Sequence, residues 1–170
     1  NKLTIKPVPV LFAGLLNHHG QLGPAEIQSK RNFTFKHALW LASKKEIDMK
    51  LPSHHPFNPL RPLRLAILKG CSMDCIRIIF DFIWQEGRNI DDDGELDALG
   101  LKLETQDTIF QIEKKDIKEK LHEYTNDAIK EGVFGVPTLI VDGELFWGLD
   151  STDFLKDFLS ENKKIKENIL

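Results

Sequence analysis

The sequence predicts an α/β fold in which a long helical insertion interrupts a small sheet, and three observations lead to this prediction. Residues 2–10 alternate apolar and polar side chains before a proline-punctuated exit, which is typical of a strand. Residues 138–147 form two short apolar runs around Asp142-Gly143, a dipeptide whose preference for positive φ suits a tight hairpin. Most segments between these two regions repeat apolar residues at helical spacing.

The first half of the chain is expected to continue with a loop and a long helix. Residues 11–16 are apolar, whereas residues 17–21 are polar and contain a glycine, which predicts a loop. Pro24 suits the first turn of a helix that continues to about Lys45. Residues 51–62 contain four prolines and are expected to form a shaped loop. The predicted helix places four large side chains on one face: Phe33, His37, Trp40 and Leu41.

The second half is predicted to be helical up to the hairpin. Helical periodicity favours four segments, at about 61–69, 73–86, 95–100 and 114–131. Residues 148–151 lead from the hairpin into a final helix, and residues 163–166 belong to a charged, fraying tail. The three tryptophans fall in apolar periodic segments and are expected in the core: Trp40, Trp84 and Trp147.

Length and composition describe one well-packed globular domain. The chain has 170 residues, of which 41% are hydrophobic and 29% charged. A net charge of −3 gives no indication of a nucleic-acid surface or a polybasic membrane patch. No apolar stretch approaches the roughly 20 residues that span a bilayer. We therefore expect neither nucleic acid nor membrane as a partner.

The two cysteines, Cys71 and Cys75, are too few for a secreted disulfide scaffold, so a reducing compartment is predicted. Their C-x3-C spacing differs from the redox spacing C-x2-C. Ser72 resembles a helix N-cap, which would place Cys75 in a first helical turn where its pKa could fall. A small buried apolar role is the favoured interpretation.

Val136-Pro137 comes directly before the hairpin and is the strongest candidate for a binding site. A cis X-Pro bond there would leave the N–H and C=O of Val136 free to pair with an extended peptide ligand. The alternative is that Pro137 only begins a strand, where proline is tolerated. The arrangement is similar to the cis-proline loop of thioredoxin-like folds.

The run from Gly132 to Asp150 resembles the 2-hydroxychromene-2-carboxylate isomerase family, which is related to kappa-class glutathione transferases and to DsbA-like oxidoreductases. Three earlier stretches are similar to the same family: Gly23–Arg31, His55–Leu60 and Leu63–Ala66. The resemblance implies a thioredoxin-like fold of the DsbA/kappa type with an all-helical insertion. Residues 1–23 and 132–170 would form the thioredoxin-like domain, and residues 24–131 the insertion.

The same resemblance implies a glutathione-dependent isomerase. It would interconvert 2-hydroxychromene-2-carboxylate and trans-o-hydroxybenzylidenepyruvate, or a related aromatic 2-oxo acid, by reversible thiolate addition in a cytoplasmic homodimer. A kappa-like glutathione transferase, a DsbA-like dithiol oxidoreductase and a non-enzymatic binding module are the alternatives. The family's first strand and its thiol-activating serine have no counterpart here, so we expect that unit upstream of residue 1.

Family resemblance implies that glutathione pairs with the main chain at Val136 and Pro137. Asp150 and Ser151 precede the final helix, whose N-terminus suits a carboxylate, and the resemblance implies that they hold the glutamyl end of glutathione. A capping box formed by Asp150 and Asp153 is the structural alternative.

The remaining candidates lie in the first 60 residues. The resemblance implies that Lys30 reaches glutathione or the substrate carboxylate as a catalytic cation, with Arg31, Arg61 and Arg64 as alternatives. His18 and His19, in the predicted loop, could move protons near neutral pH; no third ligand supports a metal site. Phe57 and Asn58 could line an aromatic substrate pocket, although Asn58 also suits an ordinary turn.

Overall fold

The computed structural model describes residues 4–160, which contain eight α-helices, one 3-10 turn (Pro24–Glu26) and one two-stranded hairpin. The elements in chain order are α1 (Phe12–His19), α2 (Gln28–Lys44), α3 (Leu60–Leu68), α4 (Met73–Trp84), α5 (Asp93–Lys102), α6 (Thr108–Ile112), α7 (Lys115–Lys130), β1 (Thr138–Val141), β2 (Glu144–Trp147) and α8 (Thr152–Leu159).

Short polar signals set the ends of several helices. Ser72 Oγ accepts a hydrogen bond from the Cys75 amide at 3.2 Å and begins α4. Asp92 Oδ1 accepts from the Glu95 amide at 3.0 Å and begins α5. α1 ends at Gly20, whose φ of 62° lies in the left-handed region that favours glycine.

The main hydrophobic core lies between helices α3, α4, α5 and α6. Its buried side chains come from these helices and from two positions that flank α5, Ile90 and Leu103. The full set is Leu65, Ala66, Cys75, Ile79, Phe82, Ile83, Ile90, Leu96, Leu99, Leu103 and Ile112. Helix α7 packs against both α3 and α1. It therefore joins this core to the N-terminal helix, where the Thr125 hydroxyl accepts from the Leu11 amide at 3.0 Å and donates to the Leu121 carbonyl at 2.8 Å.

The hairpin confirms the turn predicted from Asp142-Gly143. β1 and β2 are antiparallel, with Val141 opposite Glu144. Asp142 and Gly143 have φ values of 52° and 85°, as a type I′ turn requires. Phe146 is buried on one face of β2 and contacts Phe158 of α8, with ring centroids 5.2 Å apart. The hairpin and α8 therefore form a second, smaller packing unit.

Two predictions for the N-terminal segment are wrong. Residues 4–10 form no strand, and the hairpin is the only sheet among residues 4–160. Pro7 and Pro9 have no N–H to donate, which weakens any ladder there. The predicted loop at 17–21 is largely helical, because α1 extends to His19. Residues 2–3 of the predicted strand and the tail at 163–166 lie outside the described residues.

Helix α2 also differs from its prediction. The Pro24 turn is 3-10, Ile27 is extended, and α2 begins only at Gln28. Its aromatic face points outward, with Phe33 and Trp40 68% and 55% exposed. Trp147 is 49% exposed, so two of the three tryptophans are not core residues. Helical periodicity identifies a shared face, but it does not show whether another element covers that face.

Candidate functional site

The loop between α7 and the hairpin presents free main-chain groups at the predicted position. The Val136–Pro137 peptide bond is cis. Val136 is 40% exposed, and neither its N–H nor its C=O is hydrogen bonded to another residue of the described chain. The main chain at Val136 can therefore accept an extended ligand.

An aromatic pair lies beside these groups. The rings of Phe134 and Trp147 contact each other edge to face, with centroids 5.2 Å apart. The indole lies so close to Gly135 that a Cβ there would be 3.0 Å from Trp147 Cε2 and nearer still to Nε1. Only glycine fits this approach. The sequence signal was a glycine facing an aromatic residue across a hairpin, and reading Trp147 as a core residue obscured it.

Hydrogen bonds hold this loop against the residues that follow β2. The Gly148 amide donates to the Pro137 carbonyl at 2.9 Å, and the Thr138 hydroxyl donates to the Gly135 carbonyl at 2.8 Å. Gly148 has a φ of 81°, and a Cβ there would lie 2.5 Å from Asp150 Oδ1. The carboxylate of Asp150 is thus placed close to the junction between the loop and the start of α8.

The N-terminus of α8 is not capped by any side chain. Ser151 occupies the N-cap position, but its hydroxyl donates to the Gly148 carbonyl at 3.0 Å. The capping box that was the alternative interpretation is wrong, because Ser151 rather than Asp150 is at the N-cap and Asp153 pairs with Lys156 Nζ at 2.8 Å. The Thr152 amide donates to the Leu149 carbonyl at 3.3 Å, so the amides of Asp153 and Phe154 and the positive end of the helix dipole remain available to an anion.

His19 reaches the same loop from α1. Its Nε2–H donates to the Val133 carbonyl at 3.2 Å, and its ring contacts that of His18, with centroids 4.8 Å apart. The structure thus brings His19 to the loop that carries Val136, although from the last turn of a helix rather than from the predicted loop. Its contact with the loop is structural, and a role in proton transfer stays a prediction.

The other predicted site residues lie away from these contacts. Lys30 is exposed near the start of α2 and has no hydrogen-bond or ion-pair partner in the described chain. Phe57 packs against the helical core and contacts Trp84, with ring centroids 6.0 Å apart. The Asn58 side-chain oxygen accepts from the Leu60 amide at 3.1 Å. The main-chain N–H of Asn58 donates to Asp91 Oδ1 at 2.8 Å. Asn58 therefore has the geometry of the turn residue that the alternative interpretation describes.

Both cysteines lie in the helical part of the chain. Burial raises the pKa of the Cys75 thiol, and Cys71 adds to this effect. Burial also raises the pKa of Cys71. The favourable pKa shift expected from the start of α4 is thus outweighed, and Cys75 is a buried apolar residue.

The described residues 4–160 hold no group of three His, Cys, Asp or Glu side chains that could bind a metal ion. No helix within that range is both long and apolar enough to cross a membrane.

Comparison with known proteins identifies the class to which this fold belongs. Residues 1–160 match the family model of the DSBA-like thioredoxin domain. The chain belongs to this family, and the predicted thioredoxin-like fold is confirmed.

Individual relatives show which proteins of known name the chain is similar to. The chain is 25% identical to glutathione S-transferase kappa 1 of Rattus norvegicus, over 94% of this chain and 79% of that protein. A 32-residue segment, 19% of this chain and 16% of the relative, is 50% identical to 2-hydroxychromene-2-carboxylate isomerase of Sphingobium xenophagum. A solved structure of a 2-hydroxychromene-2-carboxylate isomerase has the same fold, with a TM-score of 0.74, 21% identity, and coverage of 94% of this chain and 81% of that one.

Proposed function

We propose that this protein binds glutathione and uses it to isomerise an aromatic 2-oxo acid, interconverting 2-hydroxychromene-2-carboxylate and trans-o-hydroxybenzylidenepyruvate or a related pair. One observation carries the proposal. The main chain of Val136 is unpaired, the N-terminus of α8 is uncapped, and the hydrogen bond from Gly148 to Pro137 joins the two segments that carry them. The similarity of the chain to glutathione S-transferase kappa 1 and to 2-hydroxychromene-2-carboxylate isomerase supports the proposal.

The two features suit two different parts of glutathione. An extended cysteinyl unit can form backbone hydrogen bonds with Val136. Its γ-glutamyl end carries both a carboxylate and an ammonium group. The carboxylate suits the amides of the first turn of α8, and the ammonium suits the carboxylate of Asp150. The site residues Val136, Pro137, Asp150 and Ser151 are therefore proposed as the glutathione-binding set.

Bound glutathione would supply a thiolate that adds to the conjugated 2-oxo acid, so that the former double bond can rotate before the thiolate leaves. The protein must then position an aromatic ring and a carboxylate beside the loop. Phe134 and Trp147 offer an exposed aromatic surface next to Val136. Lys30 stays the proposed catalytic cation, with Phe57, Asn58, His18 and His19 as proposed substrate contacts. A cytoplasmic homodimer is part of the same proposal.

Calorimetric titration with reduced glutathione tests the binding step. Asp150→Asn removes one charge-assisted contact, and a loss of about 10- to 100-fold in affinity is expected. Asp153→Asn is the matched control, because it makes the same charge change in the first turn of α8 on a carboxylate that pairs with Lys156. Absence of binding at millimolar glutathione, or equal effects of the two substitutions, would contradict the proposed site.

A kappa-like transferase is the second candidate, and the rat relative favours it because the similarity covers 94% of this chain. A chlorinated aromatic acceptor separates the two functions. A transferase forms a stable thioether and releases chloride, whereas an isomerase returns free glutathione. A dithiol oxidoreductase is less well supported, because the pKa values of both cysteines are raised rather than lowered.

A further inference from the structure

We propose that His55 is an acid-sensitive latch that holds helix α2 and the loop at 51–59 against helix α4. The imidazole lies among three aromatic rings from three segments of the chain. Its centroid is 4.8 Å from that of Phe35 in α2, 5.7 Å from that of Phe57 in the loop and 6.1 Å from that of Trp84 in α4. One side chain thus connects all three segments.

The polar atoms of His55 are in an unusual position for a histidine. Its Nδ1 is buried and has no hydrogen-bond partner in the described chain. A neutral imidazole can leave this nitrogen without a proton, so that only a lone pair is unsatisfied. Protonation would instead bury a charged N–H that has no acceptor, which is far less favourable. The closed arrangement therefore requires the neutral side chain.

The charged groups around His55 also disfavour its protonation. Arg31 of α2 and the neighbouring His54 both oppose a positive charge on His55, and with burial as the largest cause they lower its pKa below 6.5. The carboxylate of Asp91 lies 4.0 Å from His54 Nε2. Aromatic faces attract cations, but here the missing acceptor and two like charges oppose that attraction.

The latch matters because α2 has few other attachments. Among the described elements, α2 packs mainly against the 3-10 turn just before it. The following loop is fixed to α4 through the Lys50 amide, which donates to the Trp84 carbonyl at 2.7 Å, and to the 89–93 segment through Asn58. Release of the ring contact between Phe35 and His55 would therefore free the middle of α2 while the loop ends stay attached.

The direction of the pH dependence follows from linkage. When α2 is released, His55 is solvated and its pKa returns towards 6.5. Above that pH both states are neutral and the closed state keeps its full stability. Below it the open state binds a proton that the closed state resists. Each pH unit through this window therefore lowers the ratio of closed to open molecules by up to about tenfold.

NMR titration of the six imidazoles tests the proposal, together with fluorescence of a variant in which phenylalanine replaces Trp40 and Trp147, so that Trp84 is its only tryptophan and His37 keeps an aromatic ring on each side. His55 is expected to titrate below 6.5, and the Trp84 signal to change over the same pH range. His55→Phe keeps an aromatic ring without the titration and should abolish the change. His37→Phe is the matched control, because His37 also stacks between two rings of α2 but is exposed.

Three results would overturn the proposal: a His55 midpoint at or above 6.5, a Trp84 transition that persists in His55→Phe, or a transition abolished equally by His54→Asn. The wild-type NMR curve decides even if His55→Phe does not fold. Phe35→Leu gives a further check, because it removes one wall of the ring cluster and should move the His55 midpoint towards 6.5.

Discussion

The close approach of Trp147 to Gly135 predicts that Gly135→Ala damages the candidate binding loop. A Cβ at this position would lie 3.0 and 3.1 Å from Trp147 Cε2 and Cδ1 and closer to Nε1, so the indole must move. Gly135 does not have a positive φ, and the substitution therefore introduces no backbone strain of its own. Overpacking of this kind costs about 1–3 kcal/mol. We expect a loss of that size in the free energy of unfolding and weaker glutathione binding.

Urea unfolding of four proteins isolates the contact: wild type, Gly135→Ala, Trp147→Ala and the double variant. In the absence of the indole, Gly135→Ala should be neutral or stabilising by about 0.4–1 kcal/mol, because alanine restricts the unfolded chain. The coupling energy between the two positions should therefore be about 1–4 kcal/mol. Equal effects of Gly135→Ala in both backgrounds would refute the argument that Trp147 requires glycine at position 135.

Two further predictions concern polar contacts. His19→Ala removes the hydrogen bond to the Val133 carbonyl and should lower the free energy of urea unfolding by about 1 kcal/mol, whereas an equal loss in His18→Ala would contradict this. The hydrogen bond to Lys118 is the chief cause that lowers the pKa of Glu113. The ionised carboxylate therefore stabilises the fold at pH values above the unfolded-state pKa. This stabilisation is lost as the pH falls through the lower pKa of the folded state. Glu113→Gln should cost below about 1 kcal/mol at pH 7 and nothing at pH 2, while the exposed Glu119→Gln should change little at either pH.

Local signals allowed the sequence to predict the loop and hairpin correctly. The hairpin turn requires positive φ at both Asp142 and Gly143, and few other dipeptides permit this conformation. One apolar strand lies on each side of this turn, and Val136-Pro137 comes directly before the first of them. Such features depend on neighbouring residues only, and the structure contains them where they were predicted.

Predictions that depended on more than the residues of a short motif were less successful. Phe33 and Trp40 share a helical face, but periodicity could not show that this face is exposed. The Asp150–Asp153 capping box had suitable residues, yet Asp153 pairs with Lys156, three residues later in α8, at 2.8 Å. Residues 17–19 are polar but continue α1, because an apolar first turn and Gly20 fix both ends of that helix.

The described groups around Val136 are suited to binding a peptide backbone, but none of the hydroxyls among them is free to activate a thiol. The nearby hydroxyls of Thr138, Ser151 and Thr152 donate to the carbonyls of Gly135, Gly148 and Leu149, so their protons already stabilise the loop and the start of α8. The free groups are main-chain amides and the carboxylate of Asp150, which recognise the ends and backbone of a peptide. In the proposed site these groups would hold the backbone and the ends of glutathione, and lowering the pKa of its thiol would require a further group. The affinity measurement on Asp150→Asn therefore tests the binding site whichever reaction the protein catalyses.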